Sequence, residues 1–303
     1  MQRQVAGYVH RYGSMTPLQY DLKCLCDRNR DGSHATQAAR RKILDQAARE
    51  LRTLGFRDLR APDLKPRHVE RLLARWQAEQ LSAGTLKNRL AHLRWWAEKV
   101  GRRSVIPRDN ARLGIAQRVY VDNTRQLAQA FVPETVAQIP DAHLRLSLEL
   151  QALFGLRRAE ALKFQPALAD RGDHLALKAS WCKGGRAREI PVRTAEQREL
   201  LTRVHALAGA GSLIPAHLSY VEQLHRYEHY TRTAGLSRLH GLRHQYAQTR
   251  YRELTGWPAP ATGGRTAAEL TPGERALDRT ARLQISSELG HARELITVVY
   301  LGR

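Results

Sequence analysis

Long apolar runs are missing from this sequence. The richest stretch, Leu144 to Leu156, is interrupted by Arg145, Glu149 and Gln151, and falls well short of the ~20 apolar residues a membrane-spanning helix needs. The opening Met-Gln-Arg-Gln-Val lacks the apolar core of a secretory signal peptide. Cysteine is scarce. Cys24, Cys26 and Cys182 are the full set of three, too few for a disulfide framework, so a reducing cytoplasm is the expected setting. No G-x-x-x-x-G-K-[ST] run is present, which argues against a P-loop NTPase. No compact cluster of carboxylates suggests a metal cofactor. Negative charge is also short: 29 Asp and Glu face 50 Lys and Arg, leaving +21 at pH 7.

Such an excess favours polyanions, of which nucleic acid is the commonest for a soluble protein and an anionic membrane surface the competitor. The 303 residues are enough for about two domains at ~150 residues each, and 42% hydrophobic residues can build their cores. Residues 1–33 show little apolar periodicity and end in the basic, turn-rich Arg28-Asn29-Arg30-Asp31-Gly32-Ser33, which reads as an N-terminal arm or a loosely docked leader. From His34 to about Arg103 the pattern is helical. Ile43, Ala47, Leu51 and Leu54 share a face, Pro66 opens a second helix with Val69, Leu72, Leu73 and Trp76, and Ser82 or Thr85 caps a third along Leu86, Leu90, Leu93 and Ala97. Residues 34–118 carry 20 Lys and Arg against 8 Asp and Glu. The excess is therefore concentrated in a small helical bundle. Lys87, Arg89 and Arg94 lie off the apolar stripe of its third helix and are the candidates for phosphate contact, against the alternative that they merely solvate a helix face. Of the consecutive Trp95 and Trp96, one should be core and the other at the bundle's edge.

Residues 104–133 read as a linker, and 119–303 as a second domain. Within it His174–Ala179 alternates as a strand, Gly184-Gly185 turns the chain, and Arg188–Val192 returns as a second strand. Helical patterns resume at Thr194. An insert-like loop rich in Gly, Pro, Thr and Ala follows residue 255 and ends at Thr271-Pro272-Gly273-Glu274, a helix start. The fold expected is mainly α with one small β-hairpin, in two domains.

Several residues in the second domain have types suited to phosphate chemistry. In His240-Gly241-Leu242-Arg243 an imidazole and a guanidinium at i, i+3 share a helix face. Arg157, in Gly155-Leu156-Arg157-Arg158-Ala159-Glu160, sits in an apolar context where its charge needs a partner, and Glu160 at i+3 could pair with it or orient it. Lys183 lies at the tip of the expected hairpin beside two glycines. Leu289-Gly290-His291 follows, and Tyr300 lies nine residues beyond His291. Each piece alone is weak.

Their order is specific: G-L-R-x-x-E, K-G-G-R, H-x-L-R-H, L-G-H and Y, spread from residue 155 to 300, resemble the signature of the tyrosine recombinases, or phage-integrase family. The bundle with Ser82-Ala83-Gly84-Thr85-Leu86-Lys87-Asn88-Arg89-Leu90 resembles that family's SAM-like core-binding domain. The resemblance implies site-specific DNA cleavage and rejoining through a 3′-phosphotyrosyl link. It assigns Tyr300 as nucleophile, Arg157 and Arg243 as the clamp on the non-bridging oxygens, and Lys183 as proton donor to the leaving 5′ oxygen. His240 takes a general-base or hydrogen-bonding role, and His291 supports the phosphate. It implies no ATP, metal or other cofactor, and as partner double-stranded DNA with paired recombination sites, held by a homotetramer in the cytoplasm, associated with the nucleoid. Integration, excision or resolution of a mobile element is the expected task. Alternatives are a type IB topoisomerase-like enzyme and an inactive DNA-binding regulator derived from a recombinase.

Two features depart from the family pattern. The segment 255–284 is longer than usual, and only three residues follow Tyr300 here, where many relatives carry a helix that docks on a neighbouring protomer. Weaker motifs are His225-x-x-Glu228-His229, which fits a zinc-peptidase pattern, and a Cys24, Cys26, His34 metal clip. His244, about 100° from Arg243 around a helix, is expected to be packed or exposed rather than catalytic.

Overall fold

The computed structural model of the chain describes residues 15–117, 126–291 and 297–303. It forms two compact units that divide between residues 119 and 120. The first unit is a four-helix assembly: α1 (Pro17–Arg28), α2 (His34–Thr53), α3 (Pro66–Ala78) and α4 (Ala83–Lys99). Proline at the first helical position opens α1 and α3, where a missing N–H costs nothing. Ser82 caps α4 by accepting from the Thr85 N–H. One apolar core holds these helices, with Trp76 and Trp96 wholly buried. Each indole finds a polar partner: Trp76 Nε1 donates to Glu50 at 2.7 Å and Trp96 Nε1 to the Ala61 carbonyl at 2.9 Å. Trp95 is the edge member of its pair, half-buried and donating to Asp31 at 3.0 Å.

The second half of the expected arm or docked leader is a helix packed into the bundle, not a free arm. Residues 17–28 are α1, capped by a reciprocal Thr16–Gln19 box, and Leu18, Leu22 and Cys26 belong to the bundle core. Three apolar positions at four-residue spacing suffice for a docked face, and Asp21, Lys23 and Asp27 on the other faces dilute the pattern. Cys24, Cys26 and His34 are not brought together as a metal clip, since no group of His, Cys, Asp and Glu among the described residues is placed to hold a metal ion. In α2 Ala47 and Leu51 are buried as expected and Leu54 packs against the core, while Leu44 rather than Ile43 completes the buried face. Residues 1–14 of the arm lie outside the described residues, as do 118–125 of the expected linker.

The second unit begins, among the described residues, with an extended stretch whose Gln129 N–H donates to the Gly241 carbonyl at 3.0 Å. It then runs through α5 (Pro133–Ala137), α6 (Ala142–Phe154), α7 (Arg158–Leu162) and α8 (Pro166–Ala169). Strands β1 (His174–Leu177) and β2 (Arg188–Pro191) follow, paired antiparallel in the register Leu175 to Ile190 and Leu177 to Arg188. Both strands are shorter than expected. Their connection includes a 3-10 turn at Ala179–Trp181 that seats Trp181 and Cys182 in the core before the chain turns at Lys183, Gly184 and Gly185. Then come α9 (Ala195–Ala208), α10 (Tyr220–Thr233), α11 (Gly241–Thr255), α12 (Pro272–Glu288) and α13 (Val298–Leu301). Helix α12 starts at the Thr271–Glu274 capping box read from the sequence. The main core gathers α6, α9, α11, α12, α13 and both strands around Phe154, Phe164, Ile190, Tyr251 and Ile285.

Candidate active site

Helix α11 enters the core nearly at its N-terminus, so Arg243 in its first turn is 1% exposed. Its Nε donates to the Tyr300 hydroxyl at 3.2 Å, and its two Nη groups donate to the carbonyls of Gly155 and Leu289. No carboxylate pairs with this guanidinium among the described residues. Burial lowers its pKa to about 10, with the Tyr300 charge opposing and Arg157 and Arg188 adding to the fall, so it remains a cation at neutral pH. A buried cation whose partners are two carbonyls, a phenol and an imidazole, with no carboxylate among them, favours an incoming anion.

The backbone around Arg243 is built for close approach. Gly155 closes α6 in the left-handed region, φ +60°, and a Cβ there would lie 2.6 Å from the Tyr246 ring. Gly290, φ +66°, is pressed against Arg188, whose Cδ would be 2.8 Å from an added Cβ. These glycines of the G-L-R and L-G-H motifs bring the Gly155 and Leu289 carbonyls to Arg243.

Arg157 stands at the start of α7. Its backbone N–H and its Nη1 both donate to Glu160, at 2.7 and 2.8 Å, and its Nη2 reaches the Leu289 carbonyl at 3.2 Å. Glu160 is wholly buried and also takes a two-point contact from Arg188, at 2.9 and 2.7 Å. Burial opposes ionisation of this carboxyl, but the hydrogen bonds and charge of Arg188, with those of Arg157, outweigh it and hold the pKa at about 2. Glu160 therefore pairs with Arg157 and orients it too. Arg188 was absent from the sequence expectations. Its signal was its register: it alternates with Ile190 on the inward face of β2, where a charge needs a partner. Its Nε also donates to the Glu288 carbonyl at 2.8 Å and its Nη1 contacts Cys182 Sγ at 3.3 Å. One guanidinium thus ties β2, the strand connection, α7 and the end of α12 together.

Tyr300 lies on α13, 5% exposed, with its carbonyl accepting from Gln248 at 3.0 Å. His291 Nε2 is 3.3 Å from the Tyr300 hydroxyl and 3.4 Å from Arg243 Nη2. Burial, then the charges of Arg243 and Arg157, depress the His291 pKa to about 4. His240 caps the start of α11, its ring centroid 6.1 Å from that of Tyr300. It keeps an exposed edge, yet enough protein surrounds it to lower its pKa, helped by Arg243, Arg157 and Lys183. Lys183 is exposed on the strand connection, close enough for its charge to be felt at His240.

His244 is packed, one of the two outcomes expected, and what the sequence did not show is that it packs beside Tyr300. It is buried, its ring centroid is 4.7 Å from that of Tyr300 and 5.5 Å from that of His240, and burial brings its pKa to about 4. The available signal was its i, i+4 spacing from His240, which sets both rings on one face of α11. Arg157, His240, Arg243, His291 and Tyr300 therefore converge, with Lys183 at the open edge. At neutral pH the three histidines are neutral, so two guanidinium groups supply the positive charge beside the phenol.

The bundle candidates fare differently. Arg94 spends its guanidinium internally, on the Pro107 carbonyl at 2.7 Å and Asn110 at 2.9 Å. Arg89 lies 5.0 Å over the Trp76 ring and 3.9 Å from Glu50. Lys87 is half-buried on the same helix without an ion pair among the described residues. In the peptidase-like motif, Glu228 pairs with Arg158 at 3.0 Å and both histidines are exposed.

Residues 15–106 match the family model "Phage integrase, N-terminal" and residues 118–249 match "Integrase". The structure is similar to a lambda integrase dimer bound to a COC′ core site, with TM-score 0.60, 17% identity, and coverage of 92% of this chain and 76% of that one. It is similar to XerH site-specific recombinase bound to palindromic difH in a post-cleavage complex, with TM-score 0.58, 16% identity, and coverage of 93% and 80%. The Tn1549 transposon integrase, residues 82–397, in complex with circular intermediate DNA gives TM-score 0.52, 16% identity and 96% coverage of both chains. No curated protein matches the chain. No helix among the described residues is long and apolar enough to cross a membrane.

Proposed function

The chain belongs to the phage integrase family of tyrosine recombinases, and from that premise we propose that it is a site-specific DNA recombinase whose Tyr300 cleaves one strand in cis. The observation that carries this reading is the Tyr300 hydroxyl held at 3.2 Å by Arg243 and 3.3 Å from His291 of the same chain. The phenol oxygen attacks the scissile phosphorus, forming the Tyr300 Oη–P bond and breaking P–O5′. The 5′ oxygen leaves with a proton from Lys183. A 5′-hydroxyl of the partner strand then attacks the phosphotyrosyl ester and returns the phenol. The ester conserves the energy of the broken bond, so ATP is not required. A phenol of pKa ~10 is a weak nucleophile at neutral pH; Arg157 and Arg243 stabilise the charge that builds on the non-bridging oxygens. His240 and His291, both neutral, provide hydrogen bonds and proton acceptance.

The DNA partner is a pair of recombination sites, and a tetramer spanning them is the assembly proposed, by analogy with the core-site and Holliday-junction complexes formed by lambda integrase. A nicked suicide substrate carrying inverted repeats from the DNA beside the gene should give an SDS-resistant protein–DNA adduct. Tyr300→Phe should abolish it while retaining DNA binding. An adduct that persists in Tyr300→Phe would assign the wrong tyrosine, and binding without any wild-type adduct would leave a DNA-binding regulator.

A further inference from the structure

The segment 255–284, longer than the family pattern leads one to expect, is joined to the nucleophile's helix by a buried polar relay. Trp257 Nε1 donates to the Tyr251 hydroxyl at 3.2 Å, and that hydroxyl donates to Asp278 Oδ1 at 2.5 Å. Asp278 takes both of its close contacts with Arg282, at 2.8 and 2.9 Å, from Arg282 Nε. Arg282 Nη1 then donates to the Gly302 carbonyl at 3.0 Å. Arg282 is 6% exposed and Asp278 8% exposed, with the Arg282 guanidinium 5.5 Å above the Tyr251 ring.

Burying an ion pair is costly, and apolar replacements of similar volume often serve stability as well or better. What an apolar pair could not do is hold a main-chain carbonyl two residues from Tyr300. Helix α13 has four residues and too few internal hydrogen bonds to fix itself. Its other anchors include the buried Val298 and Leu301, the Gln248 bond to the Tyr300 carbonyl, and the contacts of the Tyr300 hydroxyl with Arg243 and His291. Arg282 is thus a second polar clamp on the backbone here, two residues beyond the carbonyl that Gln248 holds.

We propose that Arg282, oriented by Asp278 and Tyr251, is a positioning residue that fixes the backbone beyond Tyr300 and so holds the phenol in its own chain's active site. This inference rests on the recombinase reading for its effect on cleavage, and not for its effect on α13. Displacement of a reacting group by ~1 Å can cost ~10²-fold in rate.

The test compares wild type with Arg282→Ala, Arg282→Lys and the charge-free pair Asp278→Asn with Arg282→Leu, all as full chains checked for folding by circular dichroism. Without DNA, hydrogen exchange at the amides of Tyr300, Leu301 and Gly302, which bond to Thr297 and Val298 carbonyls, should speed up in Arg282→Ala and in the charge-free pair. With saturating suicide DNA, single-turnover adduct formation should slow roughly 10- to 100-fold while the DNA dissociation constant stays within about two-fold. Arg282→Lys should recover part of the rate. A 5′-bridging phosphorothioate, whose sulfur leaves without a proton, should not restore the rate, because the defect lies in the nucleophile. Unchanged exchange at Tyr300–Gly302 in a folded variant, cleavage at the wild-type rate, or full rescue by the phosphorothioate would each overturn the proposal. If wild type itself forms no adduct, the recombinase reading fails, and the exchange measurement still decides whether Arg282 clamps α13.

Discussion

The two units of this protein use the same residue, arginine, in different ways. In the helical bundle most arginine pairs are at the surface: Arg41 with Asp27, Arg49 with Asp45, Arg75 with Glu79 and Arg103 with Glu98. Exposed pairs of this kind contribute ~0.2–1 kcal/mol each, and the bundle is held by its apolar core. In the second unit Arg188, Arg243, Arg250 and Arg282 are all buried. Three of them have a buried carboxylate, namely Glu160, Glu288 and Asp278 respectively for Arg188, Arg250 and Arg282. Arg243 differs in having carbonyls and the Tyr300 phenol instead. The buried carboxylates mark arginines that build the site, and the missing carboxylate marks the one left for an external anion.

The sharpest way to break that distinction is Glu160→Gln. If Glu160 builds the site, neutralising it leaves Arg188 buried without a counter-charge, a loss on the order of 3–5 kcal/mol, and frees Arg157 to rotate. Adduct formation should fall about 10²-fold or more, as for loss of a transition-state donor, and thermal melting should show a large drop in Tm. DNA affinity should change little. Glu160→Gln with wild-type cleavage and lowered stability would show that Arg157 needs no orienting partner.

The same contrast explains what was legible in the sequence. That Arg157, Arg243, His291 and Tyr300 come together was foreshadowed by motifs of fixed spacing and order, while the chemistry they perform belongs to the proposal. Helices α3, α4 and α12 were readable from local start signals, a proline, a serine cap and a capping box, but α1 carries the same signals at Thr16, Pro17 and Gln19, so a cap alone was not enough. What escaped depends on tertiary contact. Arg188 carries only the weak signal of alternating with Ile190, and its partners appear when β2 pairs with β1 and α7 and α12 close over it, while His244 becomes a neighbour of Tyr300 only when α13 packs against α11. Helix α1 escaped because its apolar face is narrow and gains its value by docking on α2. Arg94 escaped for the opposite reason: it lies off the apolar stripe, as a phosphate contact would, yet the turn after α4 folds back to use it.

Arg94 and Lys87 therefore give a smaller test within the bundle. Arg94→Ala removes charge-assisted bonds to Pro107 and Asn110, of a kind that contributes ~1.5–3 kcal/mol, so Tm should fall while DNA affinity stays within about two-fold. Lys87→Ala should leave Tm nearly unchanged, weaken binding to any DNA sequence, and reduce the slope of log affinity against log salt by about 1. Filter-binding titrations at several salt concentrations, with melts of the same samples, separate the two. A steep loss of affinity in Arg94→Ala at unchanged Tm would return that arginine to the DNA surface.

The smallest expected effect concerns protons. His244 and His291 have pKa values brought to about 4, chiefly by burial, and His240 is lowered as well. The unfolded chain binds protons on these rings near pH 6.5, whereas His244 and His291 in the folded site refuse them until about pH 4 and His240 titrates below its free value. Between those values the unfolded state holds more protons than the folded state, so stability rises with pH and is lost as pH falls. Glu160, held at about 2, adds its own loss only below the ordinary carboxylate range, which keeps the two windows apart. In the bundle, His68 and His92 are also lowered by burial, so acid weakens both units, and the histidines around Tyr300 add a share that a substitution there can remove. His244→Gln should flatten the decline of Tm between pH 6.5 and 5 without altering it between pH 7.5 and 7. If the decline is as steep in His244→Gln as in wild type, the buried ring beside Tyr300 already accepts a proton in the folded state, and the site would carry a third positive group that could act as an acid.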